Sequence, residues 1–334
     1  MMKKALVFGS SGFIGSHLVR RLKAEGYWVR GVDIRKPGAD NRDADEFVCG
    51  DLRQSGVVAQ VVDSDVDELY QLAADMGGAG YIFTGEHDAD LMHDSALVNL
   101  HSAEVAARKR VKKLFYSSSA CIYPQHNQQN PLAPECREDT AYPADPDSEY
   151  GWEKLFSERV YLSYRRNHQL DVRIARLHNV YGPGNAWQGG REKAPAALCR
   201  KIAAAEDGGE VEIWGDGQQT RTFLYIDDCI DGIRALMASS IATPANIGSV
   251  ELIAIDGLAA LITRIAGKRL TFRHAAGPVG VRGRRSDNRL MVAATAWQPK
   301  VSLETGIART YRWVCEQVAA RQQEVGPVLS AEPS

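Results

Sequence analysis

What this 334-residue chain lacks narrows its function before anything it contains. Its six cysteines, at positions 49, 121, 136, 199, 229 and 315, form no C-x-x-C pair and no Cys/His ligand spacing. Neither a disulfide framework nor a metal site is therefore expected. No apolar run approaches the about 20 residues that a membrane span needs. The start, Met1-Met2-Lys3-Lys4 and then Ala5-Leu6-Val7-Phe8, breaks at Gly9, too soon for the apolar core of a secretory signal. Net charge is −2 with a pI near 6.5, so no excess of positive charge invites a polyanion. No nucleic-acid partner, no membrane and a cytoplasmic setting are the expectations. Repeats and low-complexity tracts are also missing. The 44% hydrophobic content suffices for one large domain or two ordinary ones.

What is present has the order of an α/β protein. Residues 5–8 read as a short buried strand, and Gly9-Ser10-Ser11-Gly12-Phe13-Ile14-Gly15 follows at once. Residues 16–25 then carry helical periodicity up to a stop at Gly26, and residues 28–33 form a second strand ending on Asp33. Strand-like segments recur at 68–72, 114–117 and 172–177, with helical stretches between them. This alternation predicts a Rossmann-like, doubly wound parallel sheet. Past residue 180 long polar, glycine-rich connections appear, with helices at 194–205 and 256–266, which predicts a smaller, partly interleaved C-terminal substrate domain. The expected division is a dinucleotide-binding domain over 1–180 with a return segment near 221–250, a second domain over 181–322, and a disordered tail over 323–334.

The glycines at 9, 12 and 15 supply a tight turn, a close backbone approach to a pyrophosphate, and a helix N-terminus aimed at the anion. Phe13 and Ile14, between the last two, are placed with them at the cofactor. Asp33 suits the carboxylate that accepts ribose hydroxyl hydrogen bonds and repels a 2′-phosphate, so NAD is expected rather than NADP. Arg35 is the nearby residue that argues the other way. Asp51 and Leu52 stand where a contact to adenine would fall, although a solvated loop aspartate fits the sequence equally.

Tyr150-Gly-Trp-Glu-Lys154 is a Tyr-x-x-x-Lys pair. A phenol of ordinary pKa about 10 is a poor base at neutral pH. A lysine one helical turn on shares its face, lowers that pKa by its charge, and can hold a nicotinamide ribose. Ser117-Ser118-Ser119 ends a predicted strand upstream, where the Ser119 hydroxyl would hydrogen-bond the reacting substrate oxygen. Cys121 and Lys193 add proton-transfer groups that a plain dehydrogenase does not need. Taken singly, a cysteine after a buried strand is usually core and a lysine in a glycine-rich loop is usually solvated.

With these residues in view, the chain resembles the extended short-chain dehydrogenases/reductases, and within them the GDP-mannose 3,5-epimerases. The matching segments include Ala73-Ala-Asp-Met-Gly-Gly78, Ser118-Ser-Ala-Cys-Ile-Tyr-Pro124, His178-Asn-Val-Tyr-Gly-Pro183, Gly189-Gly-Arg-Glu-Lys-Ala-Pro-Ala-Ala197, Trp214-Gly-Asp-Gly217, Gln219-Thr-Arg221 and Gly280-Val-Arg-Gly-Arg284. The resemblance implies NAD as cofactor, GDP-mannose as substrate and a homodimer. It also implies oxidation at C4″, epimerisation at C5″ and C3″ by a Cys121/Lys193 acid–base pair, and re-reduction to GDP-L-galactose or GDP-L-gulose. Ser119, Ala120, Cys121, Glu192, Lys193 and Ala194 are thereby implied as substrate contacts. So are Gly77, where a side chain would obstruct the ligand, Asn179, Lys201, Gln219, Thr220, Arg221 and, for the diphosphate, Arg284. His178 reads as structural.

Three other readings stand beside this one. A nucleotide-sugar 4-epimerase needs only the tyrosine, lysine and serine. A 4,6-dehydratase wants an Asp-Glu pair where this chain has Ala120-Cys121. A non-catalytic NAD-binding sensor typically loses the Tyr/Lys pair, which is intact here. The stretch 83–97, rich in acid and histidine, departs from the plant-type members and is expected near the cofactor end or the dimer-forming helix. The helix over 150–164 has the apolar face that pairing of two copies would use.

Overall fold

Strands with apolar residues on both faces, separated by helices, need helices on both sides of a parallel sheet. That is the arrangement in the computed structural model, which describes residues 2–38, 43–132 and 136–325. The first part of the chain contributes β1 (Lys4–Phe8), α1 (Phe13–Ala24), β2 (Trp28–Asp33), β3 (Glu46–Cys49), α2 (Ser55–Val61) and β4 (Glu68–Gln71). It continues through α3 (Ala79–Ile82), α4 (Asp88–Arg108), β5 (Lys113–Ser119), α5 (Glu149–His168) and β6 (Val172–Leu177). Then come β7 (Val180–Tyr181), α6 (Ala194–Ala204), β8 (Glu210–Trp214), β9 (Thr220–Thr222), β10 (Leu224–Tyr225), α7 (Ile226–Ala238) and β11 (Ala245–Ile247). The remainder is β12 (Leu252–Ala254), α8 (Ile255–Ala266), β13 (Thr271–Ala275), β14 (Gly283–Arg284), α9 (Arg289–Thr295) and α10 (Leu303–Val325).

Seven strands form the main sheet in the order β11-β6-β5-β4-β1-β2-β3, every neighbouring pair parallel. Alternation along β1 shows how both faces are covered. Ala5 and Val7 pack with Leu18 and Leu22 of α1 and with α7, whereas Leu6 and Phe8 pack with Val58 and Val61 of α2 and Val98 of α4. Truncating one such side chain costs about 2–5 kcal/mol through lost transfer energy and the cavity left behind. The doubly wound parallel sheet read from the sequence is thus present. Strand β3 has no counterpart among the expected segments, because a four-residue edge strand shows no period to read. Helix α10 runs through Val325, and of the tail expected over 323–334 residues 326–334 lie outside the described residues.

The chain reverses direction across the sheet between β1 and β4. Their carboxyl ends therefore splay into the crevice where ligands bind in open α/β sheets. The C-terminal elements close over it. Strands β12, β9 and β14 form one small sheet, β8 and β13 a second, and α6 packs between α8 and α10. Lys268 ties this lobe together by donating to the last carbonyls of α6 and its exit, Ile202, Ala203 and Ala205, at 2.8, 2.9 and 2.6 Å. Among the described residues no helix is long and apolar enough to cross a membrane.

Candidate active site

The glycine turn closes tightly on the crevice. Gly9 has φ +76°, and a Cβ there would lie 2.8 Å from the Ala73 nitrogen, just past β4. A Cβ at Gly15 would lie 2.0 Å from the Gly9 carbonyl, so only glycine lets α1 start this close to the turn. Helix α1 has no side-chain cap and no acidic residue in its first turn, which leaves its N–H groups and positive dipole end for an anion. Asp33 is buried at the end of β2, its Oδ2 accepting the Ser11 N–H at 3.0 Å and its Oδ1 the Arg35 N–H at 2.9 Å. Each oxygen keeps a lone pair for a ribose hydroxyl. These groups fit NAD: glycines and helix end for the pyrophosphate, Asp33 for the ribose. Phe13 and Ile14 begin α1 and lean on the core, and Leu52 is buried in it. Asp51 is gripped by the Arg53 guanidinium at 2.8–3.1 Å, which holds its pKa down, and Arg53 reaches Asp94 of α4 at 2.5 Å.

Beyond the crevice lies a cleft of about 260 Å³. Ser119, Ala120, Cys121, Tyr150 and Lys193 all line it. Ser119 ends β5, and its hydroxyl accepts the Cys121 N–H at 3.1 Å, so the strand-end serine shapes the turn that presents the cysteine. Ser148 caps α5 by accepting the Gly151 N–H at 3.3 Å, which brings Tyr150 into the first turn of that helix. Lys154 donates to the Ser117 carbonyl at 3.1 Å, with its Nζ 5.6 Å from the Tyr150 ring centre. Burial pushes the Lys154 ammonium below the ordinary lysine value. The Tyr150 phenol moves up rather than down: burial dominates, Cys121 adds to it, and a hydrogen bond with Ser119 acts the other way. In the chain alone desolvation outweighs the charge expected of Lys154.

Cys121 is 8% exposed, and the Arg284 guanidinium donates to its sulfur at 3.1 Å. Arg284 also donates to Gln128 and to Asp147, each at 2.7 Å, and is itself 4% exposed. The guanidinium is thereby held in place against the sulfur. Lys193 occupies the N-cap position of α6, its pKa lowered by burial, with Cys121 near enough to act in the opposite sense. The amine and the thiol, far apart in sequence, thus face one cavity.

The other expected contacts are brought together unevenly. Gly77, Asn179, Glu192, Ala194, Lys201, Gln219 and Arg221 line the cleft. Lys201 donates to the Glu212 carbonyl at 2.9 Å, and burial lowers its pKa. Arg221 donates to the carbonyls of Val279 and Val281 at 3.0 and 2.7 Å, and burial with the neighbouring Arg284 charge brings it down to about 10. Thr220 is not in the lining; its hydroxyl donates to the Pro131 carbonyl at 2.5 Å. A Cβ at Gly77 would meet Tyr81 at 2.6 Å, while the close backbone approach belongs to Gly78, whose Cβ would lie 2.2 Å from the Glu192 oxygen. His178 is fully buried with Nε2 3.0 Å from Asn246 Oδ1, and burial brings it down to about 3, as befits a structural residue. Asp147 and Gln128 were missed: they act through Arg284 from positions that carry no motif.

Residues 5–248 match the NAD dependent epimerase/dehydratase family. The GDP-mannose 3,5-epimerase of Arabidopsis thaliana is 41% identical over 317 residues, 94% of this chain and 83% of that protein, which bears out the resemblance read from the motifs. Among solved structures, a UDP-glucose 4-epimerase from Thermotoga maritima with UDP-glucose superposes with a TM-score of 0.81 at 25% identity over 94% of this chain and 99% of the other. A UDP-glucuronic acid 4-epimerase from Bacillus cereus, in complex with UDP-glucuronic acid and NAD, gives 0.80 at 26% identity over the same shares. Fold, glycine turn, acidic strand end and Tyr/Lys helix therefore agree with the sequence match, and the chain belongs to the NAD dependent epimerase/dehydratase family, with NAD as its cofactor.

Proposed function

We propose that this chain epimerises GDP-mannose at C5″ and C3″, giving GDP-L-galactose or GDP-L-gulose. The observation that carries the reading is the pairing of Cys121 and Lys193 on one cleft with Ser119 and Tyr150. Similarity to the Arabidopsis enzyme supports the choice of substrate.

The chemistry supplied by bound NAD is reversible hydride transfer at C4″. Tyr150 exchanges a proton with the C4″ hydroxyl, Ser119 hydrogen-bonds that oxygen, and the Lys154 ammonium beside the ring stabilises the phenolate. A ketone at C4″ makes the hydrogens on C3″ and C5″ acidic, because an enolate can form. Inversion then needs one group to remove a proton and another to deliver one to the opposite face. Cys121 and Lys193 are those groups: the Arg284 guanidinium contacts the sulfur, and burial favours the neutral amine. A plain 4-epimerase would leave both without work. The copies pair through α4 and α5, where Leu100, Trp152 and Phe156 stand exposed.

Incubation with GDP-α-D-mannose in deuterium oxide, followed by proton NMR, tests the reading. Deuterium at C5″ and C3″ with an L-sugar product supports it. An unlabelled C4″ epimer would make the chain a 4-epimerase instead.

A further inference from the structure

Two segments meet along one edge of the cleft, and Arg191, which the chemistry above leaves unused, joins them. Its Nη1 donates to Asp75 Oδ1 at 2.6 Å and its Nη2 to the Tyr81 hydroxyl oxygen at 2.7 Å. The Tyr81 hydroxyl in turn donates to Asp75 Oδ2 at 2.7 Å, closing a three-membered ring of side chains. The guanidinium carbon lies 3.9 Å from the Tyr81 ring centre, and Tyr81 also stacks on His87 with centroids 4.3 Å apart. The backbones are stitched as well. The Gly78 N–H donates to the Arg191 carbonyl at 3.0 Å, and the bare Gly78 lies against Glu192.

An exposed ion pair alone is worth little, and Arg191 is 49% exposed. Here the pair is one side of a closed, stacked arrangement that immobilises the backbone immediately before Lys193. Helix α6 anchors the chain immediately after it. Glu192, between the two, is tied to Arg200 at 2.9 Å and to the Gly190 N–H at 2.8 Å. Lys193 is half-buried and has no side-chain hydrogen bond or ion pair among the described residues, so its placement rests on its backbone and on the walls of the cleft.

We propose that Arg191, acting with Asp75 and Tyr81, is a positioning residue for Lys193. The clasp holds the 189–193 loop against the 75–81 segment that enters α3 and so sets the amine over the sugar ring. Tyr150 and Ser119 rest on other elements, so C4″ chemistry does not depend on the clasp. The stretch 83–97, which departs from the plant-type members, contributes His87 to the stack and Phe83 to the cleft. The inference rests on the proposed function for its kinetic readout only.

The test compares wild type with Tyr81→Phe, which keeps the ring and removes the hydrogen bonds, Asp75→Asn and Arg191→Lys, each checked for an unchanged melting temperature. In deuterium oxide with GDP-mannose, kcat should fall on the order of tenfold to a hundredfold, the cost of a misplaced catalytic group. KM should stay within about threefold, and deuterium entry at C3″ and C5″ should become unequal relative to wild type. Independently, acetylation of Lys193 by N-hydroxysuccinimidyl acetate in the unliganded protein, read by peptide mapping, should rise several-fold in the variants. Folded variants with wild-type rate, deuterium pattern and Lys193 labelling overturn the proposal. If wild type leaves GDP-mannose unchanged, the functional reading fails, and the labelling alone decides the clasp: a rise supports it and no rise overturns it.

Discussion

Arg284 donates to the Cys121 sulfur at 3.1 Å with one nitrogen and to Asp147 at 2.7 Å with another. The aspartate fixes the guanidinium, and the guanidinium faces the thiol, so Asp147, a loop residue, places a cation beside a cysteine just past β5 without touching it. The segment around Gly283 invites a diphosphate-binding reading in sequence. In the fold Arg284 has its three nitrogens engaged by protein groups, whereas Arg282 stays at the surface, paired with Asp216 at 3.0 Å.

Replacing Arg284 by Gln therefore removes the cation beside the sulfur. Alkylation of Cys121 by iodoacetamide at neutral pH, followed by mass spectrometry, should slow on the order of tenfold. Asp147→Asn should slow it less, because the guanidinium stays but is held loosely. Equal rates in wild type and Arg284→Gln would show that the contact has no bearing on reactivity.

Tyr150→Phe keeps the ring against Lys154 and removes only the exchangeable proton. The expected loss in kcat is about 10²–10⁴-fold with folding intact. Near wild-type turnover would exclude Tyr150 as the group that serves the C4″ hydroxyl.

Asp33→Asn keeps an acceptor on the side chain, removes the charge and disturbs the hydrogen bonds that Asp33 accepts from Ser11 and Arg35. NAD binding, measured by titration calorimetry, should weaken by about 1–3 kcal/mol, while the penalty against NADP shrinks. An unchanged preference would mean that the ribose is recognised elsewhere.

His178 gives the fold an acid-sensitive element. Its pKa is about 3 in the folded chain against the ordinary histidine value of 6.5, so the native state binds fewer protons than the unfolded state between those values. Stability is complete above the unfolded value and is lost as pH falls below it. Urea unfolding at about pH 5.5 should show about 1 kcal/mol less stability from this residue than at pH 7. His178→Gln should remove that part of the loss. The same slope in the variant would place the acid sensitivity in other groups.

The fold was legible because it rests on local signals. Apolar strands, a glycine turn before a helix and an acidic strand end lie close together in the chain, and each has one structural meaning in that order. The Tyr150–Lys154 pair was legible for the same reason, since helical spacing places both on one face. Cys121 and Lys193 could be named from their segments, but nothing local says that they meet. Asp147 and Gln128 carried no readable signal, and Asp75 and Arg191, though inside matched segments, carried no readable role, because each works through a partner that is distant in sequence.

The sequence by itself determined the class of chemistry: a dinucleotide site, a tyrosine–lysine pair, and surplus acid–base groups. Tertiary structure alone decided how those groups are tuned and held. Burial drives the Tyr150 phenol up and the Lys193 amine down, and Arg284 finds Cys121 across the cleft. Desolvation and long-range contact depend on what surrounds a side chain, and only the folded chain supplies those surroundings.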